Sequence, residues 1–158
     1  MGLDAYVRCR CIQDGIAKAH PFPGRLIINE AAEPGLDGDP SSEEWLVHDR
    51  WFGNSCQHGG YLVSERLGNI SMVAQIREFV RHLQAKPSPR FPILLERVLY
   101  DGTHTGDYVP ADQAKDLLEE VQVVLHSRDI LSSSEREFFE ALCRLCEASI
   151  RTENPIMF

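Results

Sequence analysis

Alternating apolar and polar residues open the chain and predict a first β-strand. From Leu3 to Cys9 every second side chain is apolar, the period of a strand with one buried face. A Pro/Gly turn then precedes a short apolar run at 26–28, which could pair back as a hairpin. Residues 31–44 are rich in Gly, Pro, Asp and Ser and predict a mobile surface loop. Residues 43–63 have no clear period, which predicts short irregular elements.

Three later segments have apolar residues at the spacing of an amphipathic helix. The first is 71–84, with Ser71 as the predicted N-cap. The second follows Pro110, a residue suited to the first helical position, and its predicted core stripe is Ala114, Leu117, Leu118, Val121, Val124 and Leu125. The third begins where Ser134 and Glu137 have the spacing of a capping box. Its predicted buried residues are Phe138, Phe139, Leu142, Leu145, Cys146, Ser149 and Ile150.

The remaining apolar stretches complete a prediction of the fold class. Residues 91–100, FPILLERVLY, are largely apolar over the length of a strand and predict a central strand. The last eight residues contain a proline stop and a short apolar tail. We therefore predict one compact α+β domain spanning 1–158. Its small mixed or antiparallel sheet would be packed by about three amphipathic helices.

Composition narrows the function classes. The chain has 158 residues, enough for one core, and no apolar run approaches the length of a membrane-spanning helix. The N-terminus has no signal-peptide core, so we expect a cytoplasmic protein with no membrane partner. The net charge of −8 argues against direct nucleic-acid binding, which usually needs a basic patch. The acidity is concentrated after Tyr100, where twelve acidic residues face five basic ones.

Five cysteines, an odd number, predict reduced thiols rather than a complete disulfide framework. Cys9-x-Cys11 and Cys143-x-x-Cys146 could supply four sulfur ligands to zinc if the first strand met the last helix. However, Cys9 and Cys146 lie on predicted apolar faces, where free cysteine behaves as a small hydrophobe. The favoured interpretation is core packing, with no bound metal and no cofactor.

A second thiol motif, SCQHGGY, places Cys56 two residues before His58. A cysteine nucleophile with a histidine base is a recognised arrangement, but the two partners normally converge from separate elements of the fold. A polar turn is the simpler interpretation. The sequence has no phosphate loop, dinucleotide fingerprint, HExxH or GxSxG motif.

The segment DGTHTGDYVP, residues 101–110, lies between the predicted central strand and the second helix. It could be a structural turn, an exposed recognition surface or a catalytic or cation-binding loop, although it lacks the ligand spacing of a calcium hand. Loops on a rigid scaffold are favourable places for binding residues. The predicted partner surface consists of Asp101, His104, Asp107 and Tyr108 with the outward acids Asp112, Asp116 and Glu119.

Several short motifs between residues 67 and 158 share their order and spacing with a known family. The matching positions are Gly68, Ser71, Arg77, Phe91, Pro92, Asp107, Tyr108, Pro110, Leu117, Leu118, Glu120, Pro155, Ile156 and Phe158. Over this range the chain resembles an immunity-protein family of bacterial polymorphic toxin systems. It departs from the pattern at Ile70 and Ile76, where that family has aromatic residues, and at Val109.

The resemblance implies a small α+β protein that binds and neutralises a cognate protein toxin and is not an enzyme. If the toxin is a nuclease, its substrate cleft must be basic, and an acidic surface would be attracted to it. Two alternatives stay open at this point. One is a phage or mobile-element accessory protein that binds another partner, and the other is a thiol- or metal-dependent enzyme.

Overall fold

The structure, a computed structural model, describes residues 2–84, 90–100, 107–127 and 131–158. Within these residues the main sheet has four strands: β1 (Gly2–Arg8), β4 (Tyr61–Asn69), β5 (Tyr108–Val109) and β6 (Ile156–Met157). Their order in space is β4, β1, β6, β5, and every neighbouring pair is antiparallel. The predicted first strand is confirmed, because Leu3, Ala5 and Val7 are buried at alternate positions.

Four helices lie in the described part of the chain: α1 (Ser42–Phe52), α2 (Ile70–Gln84), α3 (Ala114–His126) and α4 (Ser133–Thr152). The apolar sides of α2, α3 and α4 join the sheet around one core, which includes Ile76, Leu117, Phe138 and Phe139. These three helices follow their predicted patterns. The protein is therefore an α+β domain with an antiparallel sheet, as the sequence predicted.

Residues 9–60, here called the inserted segment, leave the sheet at the end of β1 and return at β4. They contain α1 and a separate two-stranded ribbon of β2 (Leu26–Ile28) and β3 (Pro34–Leu36). None of their side chains belongs to the main core, and Leu36 is their one buried aliphatic residue. Their other buried side chains are Cys9, Cys11, His20, His48 and Ser55. In this segment most of the buried side chains are therefore thiols and imidazoles rather than aliphatic groups.

The predicted central strand at 91–100 is wrong, because this stretch forms a helical turn of the π type at Leu94–Val98. Its buried residues are Phe91, Leu94, Val98 and Leu99, while Glu96 and Arg97 are exposed. That pattern fits one face of a helical turn as well as it fits a strand. Glu120 of α3 stabilises the turn, since its carboxylate accepts from the amides of Ile93 and Leu94 at 3.1 and 2.8 Å.

Two other predicted irregular regions contain regular structure. Within 31–44, β3 pairs with β2 with Leu26 opposite Leu36, so the hairpin does not involve β1. The same range contains Ser41, the N-cap of α1 in a capping box with Glu44. The stretch 43–63, predicted as irregular, contains most of α1 and the beginning of β4. The two-residue β6 was predicted only as an apolar tail, yet it pairs with both β1 and β5.

The helix starts differ from the predicted caps by a residue or two. The side chain of Asn69, not Ser71, accepts from a first-turn amide of α2, that of Met72, at 2.9 Å. The capping box of α4 joins Ser132 to Glu135 rather than Ser134 to Glu137. Of the residues predicted to be buried in α4, Ile150 is exposed and the others are buried.

Candidate functional site

The structure places the described part of the predicted partner surface along one stretch of chain. Asp107 is exposed and Tyr108 is half-buried in β5. Asp112 lies in a short 3-10 turn, and Asp116 and Glu119 follow in α3, all three exposed. Their spacing of four and three residues gives one stripe on the outer face of the helix. The other two predicted residues, Asp101 and His104, lie outside the described residues.

A surface cavity of about 370 Å³ adjoins Tyr108. It is lined by Glu96, Arg97, Tyr100, Asp107, Tyr108 and Pro110. The hydroxyl of Tyr100 donates a hydrogen bond to the carboxylate of Asp107. Two phenol rings and two carboxylates thus surround a space that the 91–100 turn closes on one side, so the cavity depends on the helical shape of that turn.

A second cluster, which the sequence analysis did not predict, joins Cys9 and Cys11 to Cys56 and His58. The first pair follows β1 directly, and the second lies in the turn before β4. Because β1 and β4 are antiparallel neighbours, with the Cys9 amide donating to the Gly60 carbonyl at 3.2 Å, the two pairs face each other. The one candidate ligand atom of each residue lies within 4.8 Å of all the others.

Two close contacts cross this thiol cluster. Cys9 Sγ lies 3.6 Å from Cys56 Sγ, and Cys11 Sγ lies 3.2 Å from His58 Nδ1. Cys9 and Cys11 are buried, Cys56 is half-buried and His58 is exposed. One imidazole edge therefore faces solvent, while the sulfurs lie inside. The Cys143 and Cys146 thiols, weighed above as partners of Cys9 and Cys11, belong to α4 and are not members of the cluster.

The surroundings of the sulfurs differ in their effect on ionisation. Burial raises the pKa of Cys9, and it raises the pKa of Cys11 to about 12. Burial also opposes ionisation of Cys56. There, however, the nearby backbone N–H groups of Gly60 and His58, together with the thiols of Cys9 and Cys11, favour the thiolate and lower the pKa to about 6.

Two buried histidines of the inserted segment form a further polar pair. His20 Nε2 lies 3.0 Å from His48 Nδ1, and the Phe22 amide donates to His20 Nδ1 at 2.9 Å. His20 Nδ1 is therefore the acceptor, so the proton of a neutral His20 is on Nε2 and is donated to His48. The ring of Trp51 lies 4.3 Å from that of His20. Burial among these rings lowers the pKa of His20.

His20 makes stability dependent on pH. Folded His20 stays neutral at pH values where the unfolded histidine, with its pKa of about 6.5, already binds a proton. Stability is therefore present above pH 6.5 and is lost as the pH falls below it. We expect the free energy of unfolding to drop by about 1 kcal/mol between pH 7 and pH 5.5 from this residue. Urea unfolding at both pH values measures the drop.

His20→Gln is expected to remove this part of the pH dependence, and His82→Gln is the matched control because His82 is exposed on α2. If the unfolding free energies of the wild type and of His20→Gln fall equally between the two pH values, His20 does not cause the loss.

Comparisons with protein families, with curated proteins and with solved structures give no match to this chain. Among the described helices, none is long and apolar enough to cross a bilayer.

Proposed function

We propose that this protein is a cytoplasmic immunity protein that binds a cognate bacterial toxin and neutralises it by covering the toxin's active surface. The observation that carries the proposal is the cavity beside Tyr108 and its position relative to the acidic stripe. The cavity wall includes Pro110, and the stripe begins two residues later at Asp112. The resemblance over residues 67–158 points to the same class of partner. Such a role needs binding residues and no catalytic group.

The chemistry of the cavity suits a basic side chain of a partner. The phenol faces of Tyr100 and Tyr108 can accept a guanidinium or ammonium group through cation–π contact. The carboxylates of Glu96 and Asp107 line the same space and would pair with its charge. Arg97 also lines the cavity, and its positive charge partly offsets the negative charge of these two carboxylates. Partially enclosed tyrosines are frequent hot spots of protein interfaces.

The backbone around Tyr108 is held in place before any partner arrives. Tyr108 is paired with Met157 in the β5–β6 ladder, and the Phe158 amide donates to the Asp107 carbonyl at 3.0 Å. Because this strand is already ordered, little conformational entropy is lost when a partner binds to it. The acids of α3 contribute differently, because exposed charges mainly raise the rate of encounter with a basic surface. A nuclease toxin, whose substrate cleft is basic, fits both properties.

The test is co-expression with the toxin domain encoded next to the gene for this chain, scored by cell survival and by surface plasmon resonance. Tyr108→Ala is expected to raise Kd by about 30-fold through faster dissociation. Tyr108→Phe keeps the ring and should retain most of the affinity. Lysine at Asp112, Asp116 and Glu119 together should slow association by about tenfold at low salt and flatten its salt dependence.

The matched control for the charge reversal changes Glu137, Glu140 and Glu147, three exposed acids of α4, to lysine. This control alters the net charge equally but leaves the proposed surface intact, so its association rate should stay close to that of the parent. The proposal fails if the Tyr108→Ala and α3 variants stay folded and still protect cells and bind the toxin as well as the parent. It also fails if no toxin gene adjoins this one.

A further inference from the structure

We propose that Cys9, Cys11, Cys56 and His58 bind one zinc ion as a structural site. These four residues lie outside the proposed partner surface, and a metal-binding role replaces the expectation from the sequence that the cysteines serve only in packing. Three thiolates and one imidazole are a common ligand set of structural zinc sites. All four ligands come from the protein, which leaves no open position for a reacting water.

The size of the cluster matches a tetrahedral zinc site. With Zn–S bonds of about 2.3 Å, two sulfur ligands at a tetrahedral angle lie about 3.8 Å apart. The Cys9 and Cys56 sulfurs are 3.6 Å apart, and the four ligand atoms all lie within 4.8 Å of one another. Small side-chain rotations would therefore complete the coordination. Soft sulfur ligands with imidazole favour zinc over magnesium or calcium, which take oxygen ligands.

Backbone hydrogen bonds hold the two pairs of ligands in place. The Cys9 amide donates to the Gly60 carbonyl at 3.2 Å, which joins the end of β1 to the turn before β4. Within that turn the Gly59 amide donates to the Cys56 carbonyl at 3.2 Å, and on the other side the Ala17 amide donates to the Cys11 carbonyl at 2.9 Å. The four side chains are therefore brought together by the fold itself, as the ligands of a structural metal site must be.

The fold of the inserted segment gives an independent reason for a metal. Both contacts across the cluster join residues that are 47 positions apart, at the two ends of residues 9–60. Between them the chain contributes nothing to the main core and buries one aliphatic side chain of its own. Segments that bury so little apolar surface are commonly held by a disulfide or a structural metal. A zinc ion here would close the segment at its base.

The direct test is metal content of the full chain, purified without chelator and with any affinity tag removed. We expect about one zinc per chain by mass spectrometry of the elements. Replacement of zinc by Co²⁺ should give the visible absorption of a tetrahedral ion and the near-ultraviolet charge-transfer band of thiolate ligands. The inference is overturned if the wild-type chain, reconstituted with equimolar Zn²⁺ and desalted, contains no zinc and shows neither band with Co²⁺.

Single substitutions in the cluster test which side chains bind the zinc ion. Cys56→Ser and His58→Ala should each lose zinc on desalting, whereas His58→Cys should keep it as a four-thiolate site. Cys143→Ser is the matched control, because it removes a half-buried thiol that is not part of the cluster. Since His58 is exposed, its variants should fold even if Cys56→Ser does not. Zinc retained equally by His58→Ala and the wild type, with an unchanged Co²⁺ spectrum, would overturn the assignment.

Hydrogen exchange tells a structural site from an adventitious one. Chelation should speed amide exchange in residues 9–60 by about tenfold or more, while α2 and α4 stay protected, because the main core has no member in that segment. Exchange that is unchanged after zinc removal would overturn the structural role.

Discussion

Replacing Gly60 with alanine is expected to lower the free energy of unfolding by about 3–4 kcal/mol. Gly60 has a φ of +88°, in the left-handed region, and an added Cβ would lie 2.2 Å from Cζ of Phe52. Moving the ring away would disrupt its edge-on packing against Tyr61 at 5.8 Å and its contact with the Arg8 guanidinium at 5.0 Å. Urea unfolding followed by tryptophan fluorescence measures the loss.

Gly59→Ala is the matched control for this prediction. Its φ of +60° is also left-handed, but the nearest atom to an added Cβ, the Gly53 carbonyl oxygen, is 3.6 Å away. The control therefore has backbone strain without the clash, and we expect it to cost about 1–2 kcal/mol. Equal costs at the two positions would mean that Phe52 moves freely and that the ring packing beside Gly60 contributes little.

The elements that the sequence predicted correctly are those with a clear hydrophobic period, whereas α1 and β4 are also long but lack one. The strand at Leu3–Val7 shows alternation over several residues, and α2, α3 and α4 each extend over three turns or more. By contrast, β6 consists of Ile156 and Met157 alone. Two residues are too few to show the alternation of apolar and polar positions that identifies a strand. Their place in the sheet depends on the left-handed turn at Glu153, with a φ of +55°, which redirects the chain after α4.

The stretch 91–100 shows why a short apolar run is ambiguous. Phe91, Leu94 and Val98 would be buried in a central strand and are also buried on one face of the observed helical turn. The helical turn is favoured by a tertiary contact, in which the carboxylate of Glu120 accepts from the amides of Ile93 and Leu94. No local pattern contains that contact. The cavity beside Tyr108 depends on the same turn, so it could not be predicted either.

The two candidate sites differ in how far the sequence could predict them. The exposure of Asp116 and Glu119 follows from the helical period of α3, and Asp112 lies four residues before Asp116 in the preceding 3-10 turn. The thiol cluster instead requires the end of β1 to face the start of β4. Because no strand was predicted over Tyr61–Asn69, whose first three residues fell in the stretch predicted as irregular, the meeting of Cys-x-Cys with Cys-x-His was not foreseen. One signal for the cluster was present in the sequence, because Cys9 and Cys11, like Cys56 and His58, are two residues apart.

Changing Asn154 to aspartate is expected to lower the free energy of unfolding by about 3–5 kcal/mol at neutral pH. Asn154 is buried, and its Nδ2 donates to the carbonyls of Arg8 and Cys9 at 3.0 and 3.4 Å. It thereby fixes the chain after α4 to the end of β1, just ahead of the thiol cluster. A carboxylate has no hydrogen to donate, so it would face two carbonyl oxygens as a buried charge. Chemical unfolding at pH 8 measures the effect.

The pH dependence separates the charge from the lost hydrogen bonds. Burial beside carbonyl oxygens raises the pKa of the introduced carboxyl above its unfolded value of about 3.9, so the folded variant binds the extra proton. The deficit should therefore be smallest below pH 4 and grow as the pH rises through the raised pKa.

Asn54→Asp is the matched control for this prediction. Asn54 donates to the Arg50 carbonyl at 2.8 Å but is exposed, and water can solvate its replacement, so we expect a cost under about 1 kcal/mol. A deficit at Asn154 that is the same at pH 4 and pH 8, or no larger than that at Asn54, would show that Asn154 does not join α4 to β1 in the way described.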